Sequence, residues 1–251
     1  MRSGRLLALA GAAAVLFGGS AAWAADLPVK APAAVTPAYA PYNWTGFYVG
    51  GNIGGGWGSH RTIATLGGAT LVDATAHPDG VVGGGQIGYN WQTGSWVFGL
   101  EADIQGSGQK GSWTQSFAVL GFPGTTTTSD KLDYFGTVRG RVGYAWDRQL
   151  VYFTGGWAYG RETINNTTTV GGISVITNGH NDITNGWTLG GGWEWAFADH
   201  WSAGVEYLYI DFGTDSAGTG SAAIPGVGVL TVSDNHLTDN VVRAKLNYKF
   251  W

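Results

Sequence analysis

The sequence predicts an all-β chain, an eight-stranded antiparallel up-and-down barrel that crosses a membrane, and three observations lead there. Apolar and polar side chains alternate with a period of two through eight separate segments. All the charges within those segments share one face, and tryptophans gather toward one end. The composition agrees: of 251 residues 44 are Gly, and only 12% are charged while 14% are aromatic, against about 25% charge and about 7% Gly in an average soluble domain.

Residues 1–24 have the form of a secretory signal. Arg2 and Arg5 precede an apolar run from Leu6 to Phe17, and Ala22-Trp23-Ala24 supplies the small-x-small cleavage pattern. The run falls short of the roughly 20 residues that a spanning helix needs. Residues 25–43 carry Pro28, Pro32, Pro37 and Pro41 and are expected to form an extended periplasmic tail. The barrel is then expected over residues 44–251.

Taken in order, residues 47–57 alternate Phe47, Val49, Ile53 and Trp57 with Tyr48, Asn52 and glycines. Residues 81–92 set Val81, Ile87, Tyr89 and Trp91 against Val82, Gln86, Asn90 and Gln92. Residues 96–105 set Trp96, Phe98, Leu100, Ala102 and Ile104 against Glu101, Asp103 and Gln105. Residues 132–144 put Leu132, Tyr134, Val138, Val142 and Tyr144 opposite Asp133, Thr137, Arg139 and Arg141. Residues 150–160 alternate poorly, with Val151, Phe153, Trp157 and Tyr159 assigned outward. Trp187, Leu189, Trp193, Trp195 and Phe197 face away from Thr188 and Glu194. Trp201, Ala203, Val205, Tyr207 and Tyr209 oppose Ser202 and Glu206, with Leu208 and Ile210 on the polar side. Val242, Ala244, Leu246, Tyr248 and Phe250 oppose Arg243, Lys245, Asn247 and Lys249. Pro78, Pro123 and Pro225 all fall between these strands, where a missing N–H breaks no ladder. Short turns near 93–95, 145–149 and 198–200 alternate with long loops at 58–80, 106–131, 161–183 and 213–238. Loops rich in Thr, Gly and Ser at 124–130 and 165–180 are expected to be mobile.

Charge decides between a soluble sandwich and a membrane barrel. Glu101, Asp103, Asp133, Glu194 and Glu206 share the polar face with Arg139, Arg141, Arg243, Lys245 and Lys249. A charge on the lipid face near the midplane costs roughly 2–4 kcal/mol, which accounts for the segregation. In hydrocarbon an open sheet edge leaves backbone groups unpaired, so the sheet must close. Eight strands leave an interior that side chains fill, and the ten charges are expected to pair there as a lumenal network. Trp44, Trp91, Trp96, Trp146, Trp195, Trp201 and Trp251 map to the end with the short turns and are expected to form an interfacial girdle. Short turns face the periplasm in such barrels, so the long loops are expected outside the cell.

Several stretches together carry a family likeness: ADLPVK at 25–30, NWTGFYVGGNIGGGWG at 43–58, GGGQIGYNWQ at 83–92, GLEADIQGSG at 99–108, GTVRGRVGYAWDR at 136–148, EYLYIDFG at 206–213 and VRAKLNYKF at 242–250. The chain resembles the alphaproteobacterial outer-membrane immunogenic proteins, small porin-family barrels related to the OmpA and OmpX transmembrane fold. The resemblance implies an abundant surface protein of the cell outer membrane. It implies roles in envelope integrity and host interaction and, in some relatives, hemin binding or weak pore activity. Implied partners are outer-membrane lipid and lipopolysaccharide, the barrel-insertion machinery and host or envelope ligands. The last strand also resembles the signal that the insertion machinery reads, with Leu246, Tyr248 and Phe250 in phase and Trp251 following.

Other chemistry finds little support. The 13 basic residues form no cluster and the formal charge is -4, which argues against nucleic acid. With no Cys, disulfides, thiolate zinc and thiol nucleophiles are excluded. His60, His77, His180, His200 and His236 lack metal spacing, and no cofactor is expected. Hemin ligation by His60, His77 or His180 remains an alternative, as does a small diffusion pore. A rim hydrolase, the least favoured reading, would use Ser233, Asp234, His236 and Asp239. The reading adopted is a structural, surface-interacting and non-enzymatic barrel.

Overall fold

A computed structural model describes residues 42–119, 121–213, 220–224 and 228–250. The expected signal, most of the expected tail and Trp251 lie outside the described residues. The strands among the described residues are β1 (Gly46–Leu66), β2 (Ala69–Ala76), β3 (Asp79–Thr93), β4 (Trp96–Ser107), β5 (Lys110–Val119) and β6 (Phe122–Trp146). They continue with β7 (Gln149–Val170), β8 (Ile173–Ala196), β9 (Trp201–Gly213), β10 (Gly220–Ile224) and β11 (Gly228–Lys249).

Antiparallel pairing runs β1-β3-β4-β6-β7-β8-β9-β11, and β11 pairs back onto β1 from Tyr48↔Lys249 to Leu66↔Leu230. That last ladder closes an eight-stranded ring with no free edge, as a lipid environment requires. β2, β5 and β10 stand outside the ring as hairpin arms on β1, β6 and β11.

Side chains sort by parity. Ile53, Leu100, Ile104, Phe153 and Leu189 are exposed on the outer wall, while Gln86, Glu101, Arg139 and Arg243 are buried within. From Phe47 to Trp57 the wall rises about 33 Å along the strand, or about 25 Å in height at the usual tilt, which matches an apolar membrane band. The assignment of Val151, Phe153 and Trp157 outward agrees with their exposure. Leu208 and Ile210 do keep the inward phase, and both are completely buried in the lumen.

Two sequence expectations are corrected. Leu132 points inward, not outward, because the ladder with β7 shifts register between Leu132 and Tyr134, and such a bulge reverses the facing of everything beyond it. The long loops are largely sheet. Thr125 bonds Thr169 at 2.7 Å, Thr126 bonds Thr168 at 3.0 Å and Thr128 donates to Asn166 at 2.6 Å, so the Thr-rich stretch at 124–130 is a cross-strand ladder. Gly67-Gly68 makes the tight β1–β2 turn and Gly171-Gly172 the tight turn at the tip of the β7–β8 hairpin arm, with φ of 56°, 89°, 58° and 81°, a geometry open to glycine.

Candidate functional site: the lumen and its two ends

The lumen is layered. Nearest the short turns, Tyr42, Trp44, Val97, Ala145, Leu150, Tyr152 and Ala196 form an apolar cluster. Tyr42 and Trp44 meet edge to face at 4.9 Å, and the Trp44 amide donates to Gln92 Oε1 at 2.7 Å. This ties the chain ahead of β1 into the barrel mouth. Lys249 Nζ lies 4.2 Å from the Tyr42 ring centroid, and burial pushes the Tyr42 hydroxyl up to about 12. On the adjoining turns, Arg148 donates to Asp199 Oδ1 at 2.8 Å and holds that carboxyl below its ordinary range.

Above this cluster sits an ionic layer. Arg243 reaches Asp103 at 2.8 Å and Glu206 at 2.6 Å. Arg139 pairs with Glu101, with Asp103 at 2.9 Å and with Glu206 at 3.1 Å. Lys245 donates to Glu101 Oε2 at 2.8 Å, and Arg141 donates to Glu194 at 2.9 Å. Tyr48 and Tyr152 donate to Glu101 at 2.7 Å and Glu206 at 2.9 Å. The Arg141 guanidinium lies 5.0 Å from each of those two rings, in cation–π range. Four bases thus face four acids, all buried, and the carboxylates accept the multiple hydrogen bonds that make burial of charge tolerable.

The layer is sealed on its far side by Val82, Leu132, Phe135, Ala158, Leu208, Ile210, Phe212, Leu237 and Val241. Beyond that seal His60 Nδ1 meets Asp130 Oδ2 at 3.0 Å, and Gln109 donates to Asp239 at 2.8 Å. A third apolar cluster, Ala64, Val72, Ile176, Leu230 and Val232, fills the space between the hairpin arms.

Some residues singled out in the sequence lie elsewhere. Asp133 is half-exposed beside Lys131 and accepts from Thr163 at 3.0 Å, because the β6 bulge moves it off the lumenal face. Lys249 lies at the turn end, donating to the Asn43 carbonyl, since β11 has by then passed below the ionic layer. Trp44 is 2% exposed and belongs to the barrel plug, not to an outward girdle, because it precedes β1 and folds into the mouth. Trp91, Trp96, Trp146, Trp195 and Trp201 are exposed at the turn end, and Leu246 on β11 and Phe250 just after it are exposed too.

Sequence reasoning missed a second aromatic row. Trp57, Trp157 and Trp187 are exposed near the opposite end of the band, with Trp157 directly opposite Trp187 in the β7–β8 ladder. Trp187 stacks near Tyr209 at 5.5 Å. The signal was an outward-phase tryptophan at the far end of three strands, in 47–57, 150–160 and 187–197.

Neither alternative chemistry assembles from the described residues. Ser233 and Asp239 lie six residues apart along β11, about 20 Å at strand rise, while the side chains of Asp234, His236 and His180 lie outside the described residues. His60 is buried against Asp130, and His77 is exposed. Among the described residues no group of three or more His, Asp or Glu could hold a metal ion.

Comparison with known proteins bears on this architecture. The model of the outer membrane protein beta-barrel domain matches residues 10–250. The chain belongs to this outer-membrane β-barrel family. As an outer-membrane barrel it is 38% identical over 248 residues to the 31 kDa outer-membrane immunogenic protein of Brucella melitensis biotype 1, covering 92% of this chain and 94% of that one. It is 31% identical over 261 residues to the 25 kDa outer-membrane immunogenic protein of Brucella abortus biovar 1, with all of each chain covered. The barrel also resembles the 22 kDa outer membrane protein of Rhizobium leguminosarum bv. viciae, 31% identical over 68% of this chain and 65% of the other. Among solved structures the outer membrane protease OmpT from Escherichia coli superposes with a TM-score of 0.48 at 10% identity, over 83% of this chain and 98% of that one. That likeness is too loose to carry an activity across.

Proposed function

We propose that this barrel is a structural, surface-interacting component of the outer membrane whose lumen is shut to solutes, with the short turns in the periplasm and the hairpin arms outside the cell. One observation carries the closed lumen: the ionic layer lies between two apolar clusters, and Arg139 and Arg243 at its centre are each 1% exposed. Conduction needs a continuous wet path, and two dry seals in series interrupt one. The orientation rests on the usual asymmetry of short periplasmic turns and long outer loops. The names of the Brucella relatives, as immunogenic proteins, support exposure of the arms at the surface. The reading is non-enzymatic, since residues spread about 20 Å along one strand do not form a hydrogen-bonded catalytic relay.

Planar-bilayer recording of the folded protein tests the closed lumen. The expected trace matches the bare bilayer. Stable current steps that scale with salt concentration would establish a diffusion pore instead.

A further inference from the structure

Asp239 stands opposite Gly58 in the β1–β11 ladder, one residue past Trp57 of the outer aromatic row and so outside the hydrocarbon band. It is 2% exposed. Its Oδ1 accepts from Gln109 Nε2 at 2.8 Å, while its Oδ2 is buried with no hydrogen-bond partner. Asp239 borders a cavity of about 10 Å³, shared with Asp130, Glu162 and the apolar Leu132, Phe212 and Leu237. That is the least room one water needs.

Charge around this cavity is one-sided. Three carboxyls line it, and among the described residues no Lys, Arg or His does. Asp130 on β6 is taken by His60 of β1 at 3.0 Å, and Glu162 on β7 is engaged as well. From β9 comes the apolar Phe212, with Asp211 half-buried in the outward phase of Tyr209, and β4 ends in the neutral Ser107. Asp79, Lys110 and Lys131 are exposed on the outer face. On β11 itself the next inward charge is Arg243, beyond Val241 and committed to Asp103 and Glu206. Among the described residues no cation pairs with Asp239.

The chain that closes the cavity is the chain where the arms leave the ring. Pro78, between β2 and β3, accepts from the Gly58 amide at 2.7 Å. Gly108 and Gln109, between β4 and β5, are held by a bond from the Gly108 amide to Val81 at 2.9 Å and one from the Leu132 amide to Gln109 at 3.3 Å. Next to them β3 and β5 pair at a single position, Asp79 with Lys110. A connection fixed by so few backbone bonds opens more readily than the ring. Burial pushes the Asp239 carboxyl up to about 6, outweighing the hydrogen bonds from Gln109 and the Asn240 amide, which favour the ionised form. A carboxylate needs more water than this cavity admits, so ionisation in place is costly.

We propose that Asp239 and Gln109 form a protonation latch: with Asp239 neutral the 108–109 connection lies shut over the chamber beyond the outer seal, and with Asp239 ionised it swings away and lets water in. The closed form holds a proton that the open form releases. Closure is therefore strongest below about pH 4, weakens as the pH rises and levels off a little above 6. The roots of the arms are tightest in acid and loosest near neutrality, while the apolar seals and ionic layer keep the barrel itself shut.

Hydrogen exchange of the folded full-length barrel in detergent tests the latch, read at the amides of Gly108 and Leu132, with the Val142 amide inside the band as reference. Corrected for intrinsic exchange, protection at the first two should fall by up to roughly 100-fold between about pH 4 and about pH 7.5, the span between a carboxyl at 3.8 and one at about 6. Asp239→Asn should exchange alike at both ends of that range. Gln109→Leu removes a bond that favours the ionised carboxyl and should move the levelling-off to higher pH, which a merely structural contact would not do. A heat-modifiable gel shift verifies folding of each variant, and the Gln109→Leu profile decides the matter where Asp239→Asn does not fold. Wild-type protection that ignores pH overturns the latch, as does a parallel fall at Val142 or an unmoved profile in Gln109→Leu. A dependence that survives in Asp239→Asn and vanishes in His60→Gln overturns it in favour of the His60–Asp130 pair.

Discussion

Arg243 and Asp103 meet across the lumen at 2.8 Å although 140 residues separate them in the chain. Asp103 also accepts from Arg139 at 2.9 Å and Thr137 at 2.9 Å, so one carboxylate ties β4 to β6 and to β11. Removing one member of such a network leaves the layer with one buried charge uncompensated. Arg139→Ala, which takes one buried cation from Glu101, Asp103 and Glu206 together, is expected to cost about 3–5 kcal/mol. Lys249→Ala, outside the network, should cost less than about 1 kcal/mol. Urea unfolding of the two variants in lipid vesicles measures the contrast, and equal midpoints would show that the network contributes nothing.

Glycines on the two faces of the wall do different things. A Cβ on Gly54 would lie 2.0 Å from the Val242 carbonyl, and one on Gly156 would lie 2.1 Å from the Val138 carbonyl. Both face inward, where neighbouring strands crowd each other. A Cβ on Gly140, facing out, meets its nearest neighbour at 4.0 Å. Gly54→Ala and Gly156→Ala should therefore lower the yield of heat-modifiable, folded barrel severely. Gly140→Ala should leave it unchanged. Comparable yields for all three would mean that the inner backbone yields more readily than close packing permits.

Period two, read from residues such as Leu100 against Glu101 and Val242 against Arg243, was enough to place strands, faces and the ionic layer, because membrane insertion forbids mixing the two sets. What parity cannot register is a bulge. Nothing local to Leu132 and Asp133 marks the register shift, which is decided by pairing with Glu162 and Arg161 thirty residues away. Trp44 looked like another girdle residue by type and position, but its facing depends on a tertiary bond to Gln92. The hairpin arms were obscured by their Thr and Gly content, although Gly67-Gly68 and Gly171-Gly172 are two-residue turn signals between alternating flanks. The apolar seals draw Leu208, Phe135 and Val82 from separate strands, so no single segment displays them.

The outer wall offers the most direct test of where hydrocarbon stops. Leu100 is 69% exposed and sits four residues above Trp96 on β4, about 10 Å higher at the usual tilt and so near the middle of the band. Ile173 is similarly exposed at 71%, but it follows the Gly171-Gly172 turn at the tip of the β7–β8 arm. In water the two positions would tolerate arginine alike. In a bilayer Leu100→Arg forces a guanidinium among acyl chains at roughly 2–4 kcal/mol, whereas Ile173→Arg stays within about 0.5 kcal/mol of wild type. Unfolding free energies measured in phospholipid vesicles should therefore separate the variants, and the gap should shrink when the arginine is moved from Leu100 toward Trp96. If both substitutions cost the same, the apolar band between the two aromatic rows does not face lipid, because exposure alone cannot distinguish these sites.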